Sequence, residues 1–139
     1  MIGVISLKFI DFLNRNAEIA MVLSFNKKHG AALQAMTLIT EHGFDRLNLL
    51  KIYAGTNAAL WKFANTLETI GYRMEVLRKN MGIRNGIAFY FLFIAIDKDD
   101  YYKLKEERKG HLIDSMEKLY ASKKRKNPVP DLKDFFASL

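Results

Sequence analysis

Apolar residues recur along the chain with two different periods, and the switches between them mark out the elements. Residues 3–13 (GVISLKFIDFL) are rich in β-branched and aromatic side chains and predict a strand. Asn14-Arg15-Asn16 is a turn signal, and residues 17–24 (AEIAMVLS) predict a second strand, closing a hairpin with the first. The period then changes. Leu33, Met36 and Ile39, with Ala32, Ala35 and Leu38 more loosely, follow helical spacing over residues 30–43, with Gly43 as the expected stop. Residues 47–54 (LNLLKIYA) predict a third strand. Asn57 stands where a helix over 58–70 would start, and Gly71 where it would end. Residues 72–78 and 87–96 predict an antiparallel hairpin around a turn at 80–85.

From Asp99 the texture becomes amphipathic. Tyr101, Leu104, Leu112, Met116, Leu119 and Tyr120 recur at roughly helical spacing among charges, which predicts a helix of about six turns, broken near Gly110. Pro128 and Pro130 end it, and Leu132, Phe135, Phe136 and Leu139 suit a short terminal helix. The order predicts an α/β fold, with a mixed sheet of about five strands and helices on both faces. A helix joining strand 17–24 to strand 47–54 makes that pair parallel, through a right-handed crossover. Residues 1–96 form the core in this reading, and 97–139 a helical C-terminal extension.

Composition narrows the chemistry. With 139 residues, half of them hydrophobic, the chain can build one domain with a substantial core. It has no cysteine, so disulfides, thiolate metal sites and cysteine nucleophiles are excluded. His29, His42 and His111 are scattered without ligand spacing, and no metal is expected. The net charge of +7 suits an anionic ligand and also nucleic acid, but only Lys123-Lys124-Arg125-Lys126 is a compact basic cluster, and a solvated helix end is the plainer reading of it. No apolar run reaches the length of a membrane span, and the first residues lack the basic start of a signal peptide. These point to a cytoplasmic protein without a membrane partner.

The most informative stretch is Lys27-Lys28-His29-Gly30-Ala31-Ala32, which follows an alternating run and opens a helical one. A small-residue turn at a helix start can hold a phosphate, because the first-turn N–H groups are unpaired and the dipole end is positive. Taken with IGVISL, Ala17-Glu18-Ile19, HGFDRLNLLKIYA, Asn57-Ala58-Ala59 and Gly71-Tyr72, its order and spacing resemble the GNAT superfamily of N-acetyltransferases over about residues 2–96. The resemblance implies a splayed sheet with acetyl-CoA in the cleft between the second and third strands. It implies that the turn amides of Lys28, His29, Gly30, Ala31 and Ala32 hold the pyrophosphate. It also implies that Val22 and Leu23 pair with the pantetheine amides, and that Asn57 contacts the pantetheine arm. Glu18 falls where some members keep a general base, which the chemistry needs because an attacking amine must lose a proton.

The chain departs from that family in three ways. The family normally has a strand, two helices and another strand before the residues that begin here. Its tyrosine general acid has no clear counterpart, since Phe63 or Ala64 occupies that region. The tail after Asp97 is not a standard part of it. Two functions of different class follow: an N-acetyltransferase acting on a primary amine, and a truncated, inactive GNAT-like domain serving as a binding or assembly module. Without a preceding partner, strand 3–13 becomes an apolar sheet edge, and part of one sheet face lies bare. A homodimer through that edge or the tail is therefore expected.

Overall fold

A computed structural model describes residues 2–24 and 30–113. Five strands form one mixed sheet: β1 (Gly3–Asp11), β2 (Asn16–Leu23), β3 (Lys51–Asn57), β4 (Arg73–Arg84) and β5 (Ile87–Asp97), in the order β1-β2-β3-β5-β4. Among the described residues three α-helices accompany it: α1 (Ala31–Glu41), α2 (Trp61–Glu68) and α3 (Lys98–Glu107). β1 pairs antiparallel with β2, β2 parallel with β3, and β5 antiparallel with both β3 and β4. The expected parallel pair and both expected hairpins are thus present.

Alternation along the strands sorts their side chains onto two faces. Ala17, Ile19, Ile52, Ala54, Leu92, Ile94 and Ile96 face one way and are buried with Met36, Ala64, Leu67 and Tyr101 of the helices. α1, α2 and α3 all serve this face: Gly43, just past α1, sits against Ile52, and Leu104 of α3 sits against Gly71 beside Ile96. The sequence led us to expect helices on both faces. Among the described residues the opposite face carries none, and Lys8, Glu18, Tyr53, Phe91 and Phe93 there are only half-buried or exposed.

Several boundaries differ from expectation, each for a local reason. Gly43 does not stop its helix. The chain continues through a wider π turn over His42–Arg46, and the left-handed residue that ends it is Asn48, at φ 54°. Gly43 is buried, and a Cβ there would lie 2.6 Å from the Ile52 Cδ1, so close packing explains this glycine. Asn48 is held from outside, its carbonyl and side-chain oxygens accepting from the Arg15 guanidinium at 2.8 and 2.9 Å. β3 accordingly begins at Lys51 rather than Leu47 and runs to Asn57. The expected 58–70 helix has two parts, a 3₁₀ turn over Ala58–Leu60 and then α2. The β4–β5 turn is Asn85-Gly86, with φ of 50° and 74°, and not 80–85. Asn80, at φ 51°, lies in a bulge between Arg78 and Gly82, so its turn-like chemistry kinks the strand without ending it.

α3 is anchored at one end of the core. Tyr101 is fully buried, stacks on Phe44 with ring centroids 4.6 Å apart, and donates its hydroxyl to Asp45 at 2.9 Å. Lys105 approaches Glu41 and Asp45 at 3.5 and 3.6 Å. The helix ends in left-handed Lys109 and Gly110, where a break was expected. The remainder of the expected six-turn helix, the terminal helix and the Lys123–Lys126 cluster lie outside the described residues. Among the described residues no helix is long and apolar enough to cross a membrane, and no group of His, Asp or Glu side chains is arranged to hold a metal.

Candidate functional site

β2 and β3 are joined by three residue pairs only: Asn16 with Lys51, Ala17 with Ile52, and Glu18 with Tyr53. Beyond Glu18 the strands part. β2 continues to Leu23 against β1, and β3 continues to Asn57 against β5, so each remains paired on its outer side. The inner edges of 19–23 and 54–57 therefore face a gap with strand-edge N–H and C=O groups unmatched across it. Such an edge can bond an extended, amide-bearing chain. The gap opens into a cleft of about 560 Å³ lined by Lys8, Glu18, Ala20, Met21, Leu23, Ala32, Met36, Gly55 and Thr56, and by Ala59–Phe63 and Thr66 of the β3–α2 segment.

At the wide end stands α1. Gly30, its N-cap, has φ 87°, a left-handed conformation that a side chain adopts only with strain. A Cβ there would meet nothing within 4 Å, so the backbone angle and not crowding calls for glycine. Among the described residues no side chain caps the helix, and its first turn carries no acidic residue. The N–H groups of the first turn are thus left for an outside acceptor, at the positive end of the helix dipole.

The structure brings some of the expected residues together. Glu18 lines the cleft at its apex, in the last residue pair before the strands part, with Lys8 across from it on β1 and Tyr53 across from it on β3. Burial, and secondarily the Glu18 charge, push the Tyr53 hydroxyl above its ordinary pKa. Leu23 and Ala32 line the same cleft, and Gly30 and Ala31 adjoin Ala32. Val22 is 73% exposed and does not line the cleft with its side chain. Asn57 ends β3 and caps the 3₁₀ turn, its Oδ1 accepting from the Ala59 N–H at 2.9 Å. Lys28 and His29 lie outside the described residues. Phe63 lines the cleft and Ala64 is buried behind it, so no phenol replaces the missing tyrosine there.

Other lining residues were not singled out from the sequence. Lys8 is a charge on the edge strand β1, and Trp61 packs half-buried against the core. Lys62 and Thr66 fall on the helix flank that turns toward the gap, with the Thr66 hydroxyl donating to the Lys62 carbonyl at 2.9 Å. Only knowledge of where pairing stops would have found them. Glu18 is the one carboxylate among the lining residues, against the cations Lys8 and Lys62.

No protein-family model and no curated protein matches the chain. Solved structures do. Spermidine N-acetyltransferase from Vibrio cholerae, in complex with CoA and spermine, superposes with a TM-score of 0.68 at 24% identity, over 73% of this chain and 60% of that one. The same enzyme in a dodecameric intermediate state matches equally well. A probable acetyltransferase matches with a TM-score of 0.67 at 23% identity, over 72% of this chain and 57% of that one. The fold is therefore that of the GNAT acetyltransferases, as the sequence resemblance implied, and the chain spans about 60% of the length of these relatives.

Proposed function

We propose that this chain is an N-acetyltransferase that moves an acetyl group from acetyl-CoA to a primary amine by direct attack. One observation carries this reading: β2 and β3 part after Glu18 and Tyr53, and the gap leads to the uncapped, glycine-opened start of α1. The free inner edge of β2, at Val22 and Leu23, would take the pantetheine amides. The amides of Gly30, Ala31 and Ala32, with those of Lys28 and His29 before them, would take the pyrophosphate. The Asn57 carboxamide, whose oxygen is engaged as a cap, keeps its NH₂ for the pantetheine arm.

At the apex Glu18 would accept a proton from the ammonium form of the acceptor. The freed lone pair attacks the thioester carbonyl carbon and the new C–N bond forms; the C–S bond then breaks as the nitrogen sheds its second proton, which passes through water to the departing thiolate and leaves a neutral amide and a free thiol. Positioning and proton removal carry the catalysis, with no covalent intermediate on the protein.

Adding acetyl-CoA should raise the melting temperature, since a ligand at about 100 times its Kd stabilises the folded state by about 2.7 kcal/mol. Gly30→Val should weaken that binding at least tenfold, because straightening the left-handed N-cap re-aims the first-turn amides. A folded Gly30→Val protein with unchanged affinity would remove the site. Among the described residues the cleft lining holds no phenol and one sheet face carries no helix, and these favour a second reading, an inactive binding or assembly module. It predicts stabilisation by acetyl-CoA without thiol release in the presence of any amine.

The assembly we propose is a cytoplasmic homodimer. β1 ends the sheet, and Val4, Phe9, Phe12 and Leu13 along it are 54–90% exposed. An apolar edge of this kind invites pairing with a second copy. Light scattering should give twice the 16.0 kDa chain mass, and a clean monomer at micromolar concentration would sink the dimer.

A further inference from the structure

Resting on that reading, we infer that the acceptor is a monoamine with an apolar, preferably aromatic, body, and not a polyamine. The bare face beside the apex is built for such a body. Gly55 lines the cleft, and a Cβ on it would lie 2.4 Å from the Phe91 Cε1 and 3.2 Å from the Phe93 Cε1. Glycine here lets both rings close over the strand at the cleft mouth. The rings lie 5.1 Å apart, tilted at 55°, and both are half-buried, so they form a shelf with one side open. Tyr53, on the same face two residues before Gly55, continues the shelf to Glu18. An amine whose nitrogen meets Glu18 would lay its body on these rings, the offset and edge contacts that aromatic groups prefer.

Charge argues against a polycation. Among the described residues Glu18 is the one carboxylate lining the cleft. The other acids of this face are already engaged: Glu75 and Asp97 approach Lys51 at 2.5 and 3.9 Å, and Asp11 accepts from the Leu13 and Asn14 N–H groups. The flanking charges are positive. Lys8 stands beside Glu18, and the Arg78 guanidinium lies over the Phe93 ring, 4.9 Å from its centroid. A polyamine bound at Glu18 would bring its further ammonium groups against these cations, with no unengaged carboxylate among the described residues of this face to receive them.

The test measures thiol release from acetyl-CoA by the full 139-residue chain with phenylethylamine, tyramine and spermidine, alongside acetyl-CoA binding by calorimetry. We expect kcat/KM for phenylethylamine to exceed that for spermidine at least tenfold. Phe93→Leu, which keeps an apolar side chain but removes the ring, should raise KM for phenylethylamine about tenfold, with kcat and acetyl-CoA affinity unchanged. Arg78→Glu, an exposed position, should narrow the gap by improving use of spermidine. Preference for spermidine in a protein that binds acetyl-CoA would overturn this inference alone. No acetyl-CoA binding, or binding without transfer to any amine, would overturn the proposed transferase and this inference with it.

Discussion

One residue apart along the same strands, Ile52, Leu92 and Ile94 are fully buried under the helices, while Tyr53, Phe91 and Phe93 stay half open on the other side. Both sets are large and apolar, so hydrophobicity does not distinguish them. The first set packs into a sealed interior where any void has no partner atoms. The second sits in the open near the point where β2 and β3 part, in company with Lys8, Glu18 and Arg78. The helix-covered face therefore carries most of the stability, and the open face contributes less to it.

The sharpest way to break that contrast is to truncate one residue on each face. Ile94→Ala should cost about 2–5 kcal/mol, read as a lower urea midpoint with an unchanged slope, because it leaves a cavity under the helices. Phe93→Ala should cost clearly less. Equal losses would mean that the open face is as structural as the covered one. Glu18→Gln tests the opposite side of the contrast. It should lower turnover about 100-fold while shifting stability by less than about 0.5 kcal/mol. Equal turnover would take Glu18 out of the mechanism.

Two smaller effects sharpen the picture of the covered face. The Thr40 and Tyr72 hydroxyls share a hydrogen bond of 2.8 Å inside the core. Thr40→Val should strand the Tyr72 hydroxyl at a cost of about 1–3 kcal/mol, measured by thermal or urea unfolding. Tyr72 also predicts a pH effect. Burial raises its pKa well above the ordinary value, and the Thr40 hydrogen bond offsets only part of this. The folded state then holds the phenolic proton more tightly than the unfolded chain does. That contribution is whole below about pH 10 and is lost as pH rises beyond it. Tyr101 and Lys51, also raised, act in the same direction. Tyr72→Phe should flatten the alkaline decline, and an unchanged slope would refute the assignment.

Much of this architecture was legible in the sequence, because side-chain period reports directly on burial. The run 17–24 was legible as a strand, in which Ala17 and Ile19 are buried and Glu18 between them is half-buried, and helical spacing found α1. Boundaries were misread where tertiary contacts overrode local chemistry. Gly43 looked like a helix stop but is held inside a π turn against Ile52, and Asn80 looked like a turn residue but occupies a bulge. The single face used by the helices was not legible, since it depends on what covers a sheet and not on how its strands alternate. The cleft was legible only in part. Glu18, Gly30 and Ala32 sit in recognisable local settings, whereas Lys8, Gly55 and Lys62 join the site because two strands stop pairing, an event with no signature in any one segment.

The brevity of the β2–β3 junction also bears on how the chain acquires its fold. β1 with β2, and β4 with β5, are hairpins closed by short turns, so each has little loop entropy to overcome. Their two halves of the sheet meet through just three residue pairs, and those pairs must wait for the whole of α1 and the turn after it to be laid between them. Non-local parallel pairing is the slow kind. The apex that sets Glu18 beside Tyr53 is therefore expected to be among the last parts of the sheet to form, and substitutions at Ala17 or Ile52 should slow refolding less than they speed unfolding.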